Sequence, residues 1–98
     1  MPRKLPAEQR LALHRANQEW HFKKRVRQRF GLTLSDRDVE HILWRIREDK
    51  PGVVFLAVGD DGRSAWRVKW RKVCMVVIFD HKTERLVTAL PFKRWKWE

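Results

Sequence analysis

His21 is the residue whose type and surroundings point most directly to chemistry. It lies in Glu19-Trp20-His21-Phe22-Lys23-Lys24-Arg25-Val26-Arg27-Gln28-Arg29-Phe30-Gly31, the most basic stretch of the chain. Histidine as a residue type exchanges a proton near neutral pH. Fixed cations such as Lys24, Arg25 and Arg29 can hold a phosphate while that proton moves. At about 100° per residue, His14, Gln18, His21, Arg25 and Arg29 form one stripe of a helix. The stripe runs beside an expected apolar arc of Leu13, Ala16, Trp20, Phe22, Val26 and Phe30. His21 and Arg25 are thus expected at the margin of the packed face, where they can line a groove. The alternative is a solvated basic face that keeps the helix soluble.

The elements that must position these residues are legible in order. Pro6 opens a helix that meets no further Gly or Pro until Gly31, predicting one helix over about 6–30. Ser35 caps a second helix, with Asp36 and Asp38 in its first turn and Val39, Ile42, Leu43 and Ile46 as its apolar stripe. Lys50-Pro51-Gly52 ends it. Four strands follow: Val53–Val58, Ser64–Trp70, Val73–Phe79 and Arg85–Leu90. The second alternates, with Trp66, Val68 and Trp70 on one side and Arg67, Lys69 and Arg71 on the other. The short turns favour antiparallel pairing. The expectation is an α+β fold in which two N-terminal helices pack on one face of a four-stranded antiparallel meander. One domain spans 1–98, with basic helices over 6–49, a sheet over 53–91 and a basic aromatic tail over 92–98.

Composition narrows the partners. The 98 residues carry 23 Lys+Arg against 12 Asp+Glu, a net charge of +11. That balance implies anionic partners, with nucleic acid first, an acidic protein second and a membrane surface third. The charge is concentrated at the ends: residues 1–30 hold nine Lys/Arg and two Glu, whereas residues 31–62 hold four Lys/Arg and seven Asp/Glu. No apolar run spans a bilayer, and the N-terminus lacks the apolar core of a signal peptide. Cys74 is the single cysteine, so the expected compartment is a reducing cytoplasm.

Further cations extend the candidate nucleic-acid surface. Arg67, Lys69 and Arg71 share one side of their strand and could bind one phosphate; the alternative is the solvent face of the sheet. In the tail, Lys93, Arg94 and Lys96 interleave with Trp95 and Trp97, an arrangement that can stack bases and bind phosphates together. The alternative there is an added edge strand or a tail folded over the core. Trp66 and Trp70 are expected on the core face of their strand, and Trp20 and Trp44 in helix-to-sheet packing. Other chemistries find no support. The four histidines and Cys74 lack metal-ligand spacing, and no metal or cofactor is expected. Asp60-Asp61-Gly62 is not a calcium loop. Neither a Gly-rich phosphate loop nor a nucleophile elbow is present.

Two segments in this order resemble the barnase/EndoU/colicin/RelE-like ribonuclease superfamily. Many of its phage and toxin members have a leading helix of the form H-x-x-x-R followed by R-(F/Y)-G, matched here by His21, Arg25, Arg29, Phe30 and Gly31. They close with an apolar strand, Asp, a short turn and I/L-V-T-x-L/Y-P. Val76-Val77-Ile78-Phe79-Asp80 and Leu86-Val87-Thr88-Ala89-Leu90-Pro91 match that pattern. The resemblance covers about Trp20 to Pro91 and is closest to small uncharacterised phage proteins of this type. It implies a metal-independent RNA endonuclease that cleaves by 2′-hydroxyl attack on the adjacent phosphate. It also implies RNA as ligand, while the basic charge leaves an acidic protein (an antitoxin or host target) as the further expected partner. Carried over residue by residue, His21 is the acid–base group and Arg25 the phosphate clamp. Thr88 binds the phosphate or orients His21. The chain departs from some barnase-like members in offering no clear glutamate base. A nucleic-acid-binding module without catalysis, and a phage inhibitor of an acidic host protein, are the alternatives.

Overall fold

The computed structural model describes residues 6–59 and 61–94. Helices α1 (Ala7–Phe30) and α2 (Asp36–Arg47) precede strands β1 (Val53–Val58), β2 (Arg63–Trp70), β3 (Val73–Asp80) and β4 (Arg85–Pro91), and a 3-10 turn at Phe92–Arg94. The strands pair antiparallel in the order β1-β2-β3-β4. The fold is α+β with an open meander. None of the described helices is long and apolar enough to cross a membrane.

Local sequence accounts for the helix boundaries. α1 stops at Gly31, which takes the left-handed conformation at φ 68° and returns its N–H to the Arg27 carbonyl at 3.0 Å. A side chain with a Cβ is strained there. α2 begins with a capping box. Ser35 Oγ accepts from the Asp38 N–H at 3.1 Å, and the Ser35 N–H donates to Asp38 Oδ2 at 3.0 Å. These bonds hold the Asp38 carboxyl below the usual carboxylate range: the Ser35 backbone N–H contributes most, and it outweighs the opposing effect of desolvation.

The core lies on one face of the sheet. Phe22 and Val26 of α1 join Val39, Ile42, Leu43 and Ile46 of α2 over Val68, Met75, Val77 and Phe79, with Trp66 and Trp70 packed at its margin. The β2 alternation therefore faces the helices as its period predicts. On the opposite face, Ala65, Val76 and Ile78 form a smaller apolar cluster with Leu56, Val87 and Leu90. β4 carries a bulge: Ile78 pairs with Thr88 and Phe79 with Leu86, which leaves Val87 as an extra residue. Consequently Leu86 and Ala89 enter the helix-side core, three residues apart, while Val87 and Leu90 join the opposite cluster.

α1 packs along β4 with a different face from the expected arc. Leu13 is 52% exposed and Trp20 58% exposed, and Ala16 is exposed as well. The packed face instead combines Phe22 and Val26 with three polar side chains. Arg15 Nε donates to the Thr83 carbonyl at 2.9 Å, Gln18 Nε2 to Asp80 Oδ2 at 3.0 Å, and Arg29 Nη1 to the Ala89 carbonyl at 2.7 Å. These bonds clip the helix to the β3–β4 hairpin, and satisfying a turn carbonyl, a strand carbonyl and a carboxylate sets the rotation of the helix. Trp44 also departs from its expected packing. It is 45% exposed, tilted against His41 at 5.6 Å and covered by Lys50 at 5.3 Å.

Candidate nucleic-acid interface

A groove of about 360 Å³ runs between α1 and β4, lined by Gln18, His21, Arg25, Arg29, Val87, Thr88 and Leu90. The helical stripe supplies one wall and the bulged strand the other. Thr88 pairs with Ile78 and Leu90 with Val76, both members of the cluster on the helix-free side. The groove therefore opens towards that side. His21 and Arg25 are exposed and Thr88 is half-buried. Arg25 Nη1 donates to Gln28 Oε1 at 3.2 Å, a surface bond that a phosphate can displace. Arg29 divides its role, lining the groove while its guanidinium holds the Ala89 carbonyl. Among the described residues no carboxylate lines the groove.

Gln18 was not singled out by sequence, although it lies on the same stripe. It is buried at 6% exposure, and its amide is oriented by donating to Asp80. Burial alone would raise the Asp80 pKa. The Gln18 amide, the backbone N–H groups of Lys82 and Thr83, and the Arg63 charge more than offset this, and the carboxyl titrates below its ordinary value of 3.8. A carboxylate with a depressed native pKa stabilises the fold above its unfolded pKa, and the contribution is lost as pH falls through the native value. Acidification below about pH 4 is therefore expected to loosen the contact between α1 and β3. Asp80→Asn should lower stability at neutral pH by about 1.5–3 kcal/mol and flatten the acid limb of a thermal-midpoint profile. An unchanged acid limb in this variant would assign the pH dependence elsewhere.

The remaining cations are dispersed. Lys24 is on the far flank of α1, with Nζ 4.9 Å from the Trp20 ring centroid. Arg67 and Lys69 lie on the helix-free face, where Arg67 stacks on Phe92 at 5.6 Å; neither lines the His21 groove. Arg71 does not share their side. It begins a tight turn with Lys72, at φ 47° and 68°, and Nη2 comes within 3.7 Å of Asp38 Oδ2 at the start of α2. The expectation that Arg67, Lys69 and Arg71 grip one phosphate is thus corrected, because the turn reverses the chain before Arg71 can continue the strand period. Lys93 is exposed in the 3-10 turn, which also contains Arg94. Trp95, Lys96 and Trp97 lie outside the described residues.

A second constellation with the look of catalysis is structural. His81 Nε2 lies 2.9 Å from Ser64 Oγ, a pairing that can activate a hydroxyl nucleophile. Ser64 is only 1% exposed, however, and its Oγ also accepts the Trp66 indole N–H at 2.8 Å. The pair joins the β3–β4 turn to β2, and Ser64 satisfies the half-buried Trp66 indole. No family model, curated protein or solved structure matches the chain.

Proposed function

We propose that the chain is a metal-independent endoribonuclease of RelE/barnase-like build. The observation that carries the reading is the groove that collects His21 and Arg25 from α1 and Thr88 from β4. Bound RNA would place a phosphate against Arg25 and the Thr88 hydroxyl. His21 would accept the proton of the neighbouring 2′-hydroxyl as its oxygen attacks phosphorus. O5′ leaves and takes a proton from water at the open mouth of the groove. Arg25 stabilises the charge that builds on the phosphoryl oxygens. The order of two helices and then an antiparallel meander supports the same reading. The test is incubation of pure protein with total RNA in EDTA. Fragmentation is expected, and intact RNA would overturn the enzymatic reading.

A second reading is a nucleic-acid-binding module on the same surface. It is favoured by the groove's lining, in which His21 is the one acid–base side chain among the described residues and Arg29 serves partly as a structural clip. Both readings require electrostatic binding. Engaging about four cations on single-stranded RNA gives a slope near −2.8 in log K against log salt, or about a 50-fold loss over a fourfold rise in salt. Filter binding or anisotropy checks this. Binding that ignores salt would remove both readings and leave an acidic protein as the partner.

A further inference from the structure

We propose that Trp20 is a base-stacking platform for single-stranded RNA that crosses α1 from the His21 groove. This deepens the ribonuclease reading and rests on it for the position of the strand. Trp20 is 58% exposed, although a core ring of this size would ordinarily be covered. It lines a second groove of about 380 Å³ with Lys23, Lys24, Arg27, Thr33 and Leu34, on the opposite flank of α1 from Thr88. At about 100° per residue, the helix turns its buried side, Phe22 and Val26, to the core and leaves one basic groove on each flank. Lys24 stands on the Trp20 side of the helix crest between them, with its ammonium 4.9 Å from the Trp20 ring centroid.

The two grooves are linked directly. The Trp20 and His21 rings meet edge to face, with centroids 5.0 Å apart. A phosphate held by Arg25 beside His21 therefore brings an adjacent nucleotide over the crest to Trp20. Lys24 and Arg27 neutralise its backbone there. Lys23 is paired with Asp36 and serves to fix the wall of the second groove. An exposed indole framed by cations is complementary to a base attached to a phosphate backbone. Duplex RNA hides its base faces, so the site selects single strands.

The test uses an adenosine decamer with 2′-O-methyl riboses, which binds without being cleaved, and an abasic decamer of the same backbone. Trp20→Ala is expected to weaken the base-bearing strand about five- to hundred-fold and to leave the abasic strand unchanged. Trp20→Phe should retain most of the affinity. Trp20→Leu, which keeps apolar bulk without a ring, should behave like Trp20→Ala. Thermal midpoints close to wild type verify that the exposed side chain has no structural duty. Equal losses on both strands, or no loss on either, would overturn the stacking site and leave the ribonuclease reading standing. The opposite split is also distinct. A base-dependent loss in a protein that leaves unmodified RNA intact supports Trp20 stacking and overturns the ribonuclease reading.

Discussion

His21→Ala should reduce RNA cleavage by about 10²–10⁴, the range typical of removing a general acid–base, while RNA affinity changes little. His21 is exposed and contributes no buried packing, so its removal leaves the α1–β4 contact in place. Its neighbours separate the roles within the groove. Arg25→Ala should weaken both binding and cleavage, because the guanidinium acts on the phosphate in the ground state and as charge builds. Thr88→Val keeps the strand shape and removes only the hydroxyl, which should slow cleavage without unfolding the protein. Single-turnover rates, together with affinities for an uncleavable strand, provide the measurement. Full activity in both His21→Ala and Thr88→Val would remove the catalytic assignment and leave the binding-module reading.

Phe22→Ala should cost about 3–5 kcal/mol of stability, the usual range for deleting a buried phenyl ring. Phe22 is fully buried and, with Val26, is one of the two buried apolar side chains of α1 among the described residues, with Phe30 packed at the margin of the core. Small domains commonly hold about 5–15 kcal/mol in total, so the loss would leave much of the population unfolded on heating. Trp20→Ala, two residues away, removes a larger ring from an exposed position and should shift the midpoint little. Urea unfolding of the two variants checks the contrast. A loss below about 1 kcal/mol for Phe22→Ala would show that the polar clips, and not the ring, dock the helix. Because α1 carries His21 and Arg25, its docking is also what keeps one wall of the groove opposite Thr88.

The chain's punctuation was readable because it acts locally. Gly31 ends α1, Ser35 and Asp38 close a capping box, and the β2 alternation puts Trp66, Val68 and Trp70 towards the helices. The pairing of His21 and Arg25 with Thr88 across one groove followed from the resemblance, not from periodicity. The rotation of α1 was not readable. Hydropathy counts Arg15, Gln18 and Arg29 as solvent-facing, yet each reaches a carbonyl or carboxylate of the β3–β4 hairpin. That rotation exposes Trp20, which hydrophobicity alone places in the core. The bulge at Val87 was equally hidden, because register belongs to a pair of strands and not to one. At Arg71 and Lys72 the turn adopts positive φ without Gly or Asn to mark it, so the strand period was carried one residue too far.

The most direct measurement is the chemistry of the ends produced from RNA in EDTA. Attack by the 2′-hydroxyl leaves a 2′,3′-cyclic phosphate on one fragment and a 5′-hydroxyl on the next. A fully 2′-O-methylated strand of the same sequence lacks the nucleophile; it should bind and remain whole. Fragments carrying those ends, produced by the wild type and not by His21→Ala, are the expected result. Fragments with 5′-phosphates, or cleavage of the methylated strand, would contradict the account.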